Sequence, residues 1–152
     1  MASVNDVAAY ILDRAGPMTA MKFQKLAYYS LAWHAVWDDQ ILFDCEIQAW
    51  RNGPVCPTLY EQHRGTFQLS SWPRGDANAL AVNEKETIDA IVRTYGELTA
   101  QQLSDLTHAE DPWRNARAGL DPFAISQVPI TIDAVVEYYS ALGAEAIDVE
   151  PF

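Results

Sequence analysis

Apolar residues recur at helical spacing along most of the chain, most densely from Met18 to Trp37. At about 100° per residue, Phe23, Leu26, Tyr29, Trp33 and Trp37 fall on one side. Met21, Tyr28, Leu31, Ala32 and Ala35 cover most of the other. A helix that is apolar on nearly all sides is usually enclosed by other elements, so this run predicts a central helix. Thr19 suits its N-cap, and no Gly or Pro interrupts the run after it. Its polar residues, Lys22, Gln24 and Lys25, crowd the first turns. The positive end of a helix dipole disfavours cations there. Acids of the same chain are the simplest partners for them; an anionic group on another molecule is the alternative.

The flanking patterns predict shorter elements. Val4, Val7, Ala8, Ile11 and Leu12 mark a first helix over residues 5–15, closed by Gly16 and Pro17. Ile41-Leu42-Phe43 is an apolar patch suited to cover the end of a bundle. From Cys45 to Asn52 the period changes to two, which predicts a short strand ended by Asn52-Gly53-Pro54. Pro57 opens a short helix to about Arg64, ended by Gly65. Residues 66–76 read as a loop with room for a short strand at Phe67-Gln68-Leu69. Asn83 with Glu86, and Thr99 with Gln102, resemble capping pairs that open two further helices. The first carries Ile88, Ile91, Val92 and Tyr95 as its stripe, with Gly96 closing it. The second runs through Leu103 and Leu106. Asp111-Pro112 reads as an N-cap and first helical residue, with a helix to about Ala118. Residues 121–130 hold Pro122 and Pro129 and read as mostly extended. Thr131 caps a last helix with Ile132, Val135, Val136, Tyr139 and Leu142 inward. The fold class that follows is mainly α: a compact helical domain around a central buried helix, with a small β-hairpin or short sheet. One domain spans residues 1–143, and residues 144–152 form an acidic tail.

Composition narrows the partners. With 152 residues, 49% of them apolar, the chain is long enough for a real core. It carries 21 Asp and Glu against 10 Lys and Arg, a formal charge of −11. That balance opposes non-specific binding to nucleic acid, whose affinity comes largely from basic side chains on phosphates. It suits a basic protein partner. No apolar run reaches the roughly 18 residues of a membrane span, and no signal peptide precedes the first helix. A cytoplasmic location is therefore expected. Cys45 and Cys56 are too far apart in sequence for a Cys-x-x-Cys pair and read as small buried or half-buried residues.

Enzyme motifs are missing: there is no Gly-rich phosphate loop, Gly-x-Ser-x-Gly or His-Glu-x-x-His. His34, among aromatics, reads as a core histidine, and His63 as exposed. His108, Glu110 and Asp111 make a compact polar group without regular metal-ligand spacing. Its simplest reading is helix-end chemistry, with a small hydrolase or nuclease as the competing one. No cofactor or metal is implied. Two segments suggest recognition. In Trp50-Arg51-Asn52-Gly53-Pro54-Val55 an aromatic and an arginine, both common interface anchors, lead into a fixed turn. In the second, Thr107 and His108 precede Trp113 and Arg117, which sit four apart on one helix face. The competing reading is internal: both tryptophans in the core and both arginines paired with acids. Strand alternation favours Trp50 inward and Arg51 outward.

These segments carry a family likeness. The sequence resembles the Panacea antitoxin domain, also called SocA-like and associated with phages. Matching stretches are Val7 to Leu12, Met18 to Tyr29, Ala32-Trp33-His34, and Phe43 to Tyr60 with its Trp-Arg-Asn-Gly-Pro-Val core. His63-Arg64-Gly65, Gly75-Asp76, Tyr95-Gly96 and Leu106 to Arg117 follow in order. The resemblance spans about residues 4–142; Phe23 and Ala27 stand where leucines are expected. It implies a mainly helical fold with a small β element and a chain that neutralises a cognate protein toxin by direct contact. Toxins paired with this domain are diverse, and one branch instead delivers its toxin to a Clp-type protease. The family supplies no catalytic residues. The partner-binding candidates are Lys22, Gln24, Lys25, Trp50, Arg51, Asn52, Thr107, His108, Trp113 and Arg117. The homo-oligomeric state is left open.

Overall fold

The computed structural model describes residues 1–148, with side chains described through Gly143. Helix α1 covers Val4–Ala15. Strand β1, Met18–Thr19, leads into the central helix α2, Ala20–Trp37. Every position from Phe23 to Ala35 on α2 is buried, so the all-round apolar pattern has its expected consequence. Thr19 is the N-cap, and its hydroxyl accepts from the Lys22 N–H at 3.2 Å. The helix starts two residues later than the sequence predicts. Met18 and Thr19 instead pair antiparallel with Leu69 and Gln68 of β4, Gln68–Leu69. Strand pairing fixes those two backbones before the helix can take them.

The hairpin comes next. Strand β2, Ile47–Trp50, pairs antiparallel with β3, Gly53–Val55, across the two-residue turn Arg51-Asn52. Gly53-Pro54, expected only to break a strand, begins the second one. Pro54 is tolerated because β3 is an edge of the sheet. Strand β5, Pro129–Ile130, pairs on the other side of β2, giving the order β3-β2-β5. Ile47 and Ala49 face the core, while Gln48 and Trp50 are half-buried on the outer face. Trp50 therefore does not point into the core, as expected, but stands on the opposite face from Ala49.

Helix α3, Pro57–His63, has proline in its first turn. Helix α4, Val82–Tyr95, is capped differently from expectation. Glu84 reaches back to accept from the Ala81 N–H at 2.7 Å. Asn83 donates instead to Asp38 and Gln40, at 2.9 and 3.1 Å. Helix α5, Ala100–His108, keeps the Thr99–Gln102 capping box, with bonds of 3.1 and 2.9 Å. Helix α6, Asp111–Ala116, takes Glu110 rather than Asp111 as N-cap residue and ends two residues early. Helix α7, Ile132–Asp148, begins with Thr131 accepting from the Ala134 N–H at 3.1 Å. It continues past residue 143, where a tail is expected; residues 149–152 of that tail lie outside the described residues.

Helices α1, α4, α5 and α7 pack around α2. Their apolar stripes meet in one core that includes Ile11, Phe23, Leu26, Ile88, Leu103, Val135 and Tyr139. Each such side chain contributes about 1.5–3 kcal/mol on burial. Leu42 and Phe43 are fully buried at the end of the bundle. Residues 72–76 are docked rather than loose. Trp72 stacks on Phe23 with centroids 5.2 Å apart, and Gly75 presses on the Asn5 carbonyl so closely that no Cβ would fit.

Candidate functional site

The carbonyls of the β2–β3 hairpin are held by side-chain donors from the surrounding helices. The Arg117 guanidinium donates to the Ala49 carbonyl at 2.9 Å. The Trp113 indole donates to the Trp50 carbonyl at 2.7 Å, and the Ser104 hydroxyl to the Asn52 carbonyl at 2.7 Å. The Lys25 ammonium donates to the Pro54 carbonyl at 3.1 Å. Four carbonyls in six consecutive residues are thus satisfied by side chains. Leaving such buried groups unpaired would cost about 1–3 kcal/mol each. Gly53 makes the arrangement sterically feasible. Its φ is 128°, and a Cβ there would stand 2.3 Å from Lys25 Cε.

Arg117 also ties down the following loop, donating to the Ala124 carbonyl at 2.7 Å. Its guanidinium lies 5.3 Å from the Trp113 ring centroid, as their four-residue spacing suggests. His108 stacks on the other side of this group, 3.9 Å from Trp113 between centroids. Burial, then the charge of Lys25, lower the pKa of His108. Its Nε2 is buried with no hydrogen-bond partner. Thr107 donates to the Ser104 carbonyl at 2.8 Å and lies against Gly53. Thr107, His108, Trp113 and Arg117 are therefore supports behind the hairpin, not an exposed surface.

Among the described residues the two cations at the start of α2 do not pair with acids, which corrects the simplest sequence expectation. Lys22 donates to the Gly96 carbonyl at 2.5 Å, at the C-terminal end of α4, where the dipole favours a cation. Lys25 is 1% exposed, and burial lowers its pKa to about 7. Nor does Arg117 pair with an acid; its partners are carbonyls. Arg51 and Asn52, at the hairpin tip, are exposed, and no side-chain bond ties either one among the described residues.

In front of the hairpin lies a cavity of about 470 Å³. Gln24 and Lys25 line it from α2, Trp50, Arg51 and Asn52 from the hairpin, and Tyr60 and His63 from α3. It thus gathers five of the ten sequence candidates. The Trp50 indole donates to Gln48 at 2.8 Å, and its ring meets the Tyr60 ring edge-on at 4.8 Å. His63, expected to be exposed, is 5% exposed, and burial lowers its pKa. Its Nε2 lies 2.9 Å from Gln24 Nε2. Gln24 is otherwise committed to the backbone of Cys56, accepting its N–H at 2.8 Å. Tyr60, His63 and Ser104 were not singled out by the sequence. Their roles depend on register between segments far apart in the chain, which leaves no local signal.

The polar group at residues 108–111 disperses. Both Tyr29 and Tyr139 donate to the buried Glu110 carboxylate, at 2.7 and 2.8 Å, and burial raises its pKa. Asp111 instead accepts from Arg114 at 2.5 Å, within its own helix. No cluster of three His, Cys, Asp or Glu side chains suited to a metal occurs among the described residues.

The helical core thus fixes one hairpin by its carbonyls, with the Arg51 and Asn52 side chains unbonded beside a cavity among the described residues. The chain belongs to the antitoxin SocA-like, Panacea domain family, whose pattern matches residues 23–114. The match takes in α2 from Phe23 onward, the hairpin, α3 and, of the supporting residues, Ser104, Thr107, His108 and Trp113, and ends before Arg117. No curated protein and no solved structure matches the chain. Family membership supports an antitoxin-like role.

Proposed function

We propose that this protein is an antitoxin that neutralises a protein toxin by direct contact, through the face carrying the hairpin tip. The observation that carries this reading is the unequal treatment of the hairpin. Its carbonyls are clamped by four side chains, while the Arg51 and Asn52 side chains at its tip have no bond of their own among the described residues. Fixing a backbone in advance reduces the ordering cost of binding. An arginine held on such a turn can make paired bonds to a carboxylate. Phe123 and Ile125, 79% and 89% exposed, sit on the loop that Arg117 ties to the hairpin. They offer apolar area beside the charged tip.

The occluding face in this reading is Trp50, Arg51, Asn52 and that loop. Lys22, Thr107, His108, Trp113 and Arg117 support it without touching the toxin. Among the described residues no helix is long and apolar enough to cross a membrane, which agrees with action in the cytoplasm. The test is an Arg51→Ala variant titrated calorimetrically against the toxin encoded beside it, together with a thermal melt. Arg51→Ala is expected to weaken binding by ~2 kcal/mol or more, the hot-spot scale, with an unchanged melting temperature. Unchanged affinity would remove Arg51 from the contact face. A toxin that binds but is inhibited only with a Clp-type protease and ATP would turn the reading toward the adaptor.

A further inference from the structure

The cavity in front of the hairpin combines three features that toxin occlusion does not require. The first is Lys25. Its ammonium is buried, donates only to the Pro54 carbonyl, and takes part in none of the ion pairs among the described residues. Its other two hydrogens therefore have no acceptor among the described residues. The second is charge. In a chain whose acids outnumber its cations by 21 to 10, no aspartate or glutamate lines this cavity among the described residues. The third is the wall. Met21, Trp50, Val55, Tyr60 and Ile125 make it mostly apolar, and Arg51 stands at its rim without a partner.

Burying an ammonium without a counter-ion is costly. Such a group on the wall of a cleft is a candidate for a binding site. Nothing around Lys25 supplies the missing charge. His108 from α5 and His63 from α3 are both shifted toward their neutral forms by burial, and Arg51 is a second cation. The Gln24 amide is occupied by Cys56 and His63. What remains is an ammonium with two uncommitted hydrogens and one guanidinium fork lining the same cavity, enough for a two-oxygen anion and too little for a phosphate dianion. At about 470 Å³ the space is within the range of small-ligand sites.

We infer that this cavity binds a carboxylate carried on an apolar body, with the anion between Lys25 and Arg51 and the body against Trp50 and Tyr60. The carboxylate belongs either to a free small acid or to a residue of the bound toxin. The ammonium that burial holds near its titration point at neutral pH becomes fully charged when the anion arrives.

The probe is indole-3-acetate, with neutral indole-3-acetamide as its control. Protein labelled at the lysine ε-carbons shows Lys22, Lys25 and Lys85 by NMR. Indole-3-acetate at millimolar concentration is expected to move the Lys25 resonance and raise its titration point. The amide is expected to bind about tenfold more weakly or worse. Lys25→Met should abolish binding of the acid with the fold retained. Arg51→Ala, which touches nothing inside the protein, should weaken it severalfold whether or not the methionine variant folds. Equal binding of acid and amide, or an unmoved Lys25 resonance, would overturn the inference. Addition of the toxin separates the two sources. Displacement of the probe assigns the carboxylate to the toxin, and continued binding assigns it to a free acid. Both outcomes keep the site. Because the probe acts without toxin, failure here leaves the antitoxin reading standing, and failure of that reading leaves this one.

Discussion

A buried ammonium bonded to one carbonyl makes Lys25 a net cost to folding at neutral and low pH. In the unfolded chain it holds its proton up to about its ordinary value of 10.5, and in the folded chain only to about 7. Between those values the unfolded state binds more protons, so stability from this group rises with pH. A methionine of similar length removes the charge and keeps the packing, a gain that exceeds the loss of the Pro54 carbonyl's donor. Lys25→Met is therefore expected to melt at a higher temperature than the parent at pH 7, with the gap narrowing as pH approaches 10. Thermal melts across that range test it. A methionine variant that is less stable at every pH would make Lys25 a structural residue. Arg51 is the opposite case, a cation with no internal partner whose removal should cost nothing in stability. The sequence showed both residues and misjudged one of them. Two cations in the first turns of an apolar helix were visible as an anomaly. That Lys22 ends on the carbonyl of Gly96, and Lys25 on that of Pro54, depends on contacts 74 and 29 residues away. Local pattern carries no information at such separations.

At the level of elements, the hairpin is where sequence and fold meet. Its alternation was legible from Cys45 to Trp50, because a half-buried strand imposes a period of two. The second strand was not, because Gly53-Pro54 has the composition of a break and becomes a strand only through its edge position. Capping by Thr19, Thr99 and Thr131 was legible, since each bond closes within three residues. The Asn83–Glu86 pair was misleading, because Glu84 caps the Ala81 N–H two residues earlier in the chain and Asn83 is drawn to Asp38. The same contrast holds for Cys45 and Cys56. Their sequence separation hid the contact that the hairpin register creates. A hydrogen bond with Cys56 pulls the Cys45 thiol down to about 6. The clamp itself yields an expectation. Arg117→Met leaves the Ala49 and Ala124 carbonyls without their charged donor, which should cost about 3 kcal/mol. For a chain of this size that lowers the melting temperature on the order of 10 °C. Hydrogen exchange at the amides from Trp50 to Gly53 should accelerate, while exchange in α4 stays as it was. Uniform acceleration would mean that Arg117 holds the whole core rather than the hairpin.

On the scale of the whole molecule, the inward cations alter how the surface meets a partner. Lys22, Lys25 and Arg117 all turn toward carbonyls, so three of the ten Lys and Arg side chains are spent on the protein's own backbone. The outer surface is correspondingly acidic, which favours encounter with a basic protein. Arg51 and the exposed apolar residues Phe123 and Ile125 then form a local exception beside the cavity. In this account the helical core exists to hold that exception still. Its central claim is that contact alone silences the toxin. The most direct measurement is to titrate the purified protein into the activity assay of the toxin it is proposed to neutralise, with no protease and no ATP present. The expected result is inhibition that grows with added protein and saturates at a fixed stoichiometry. Toxin activity that is unchanged by excess protein, and that falls only when a protease and ATP are supplied, would contradict it.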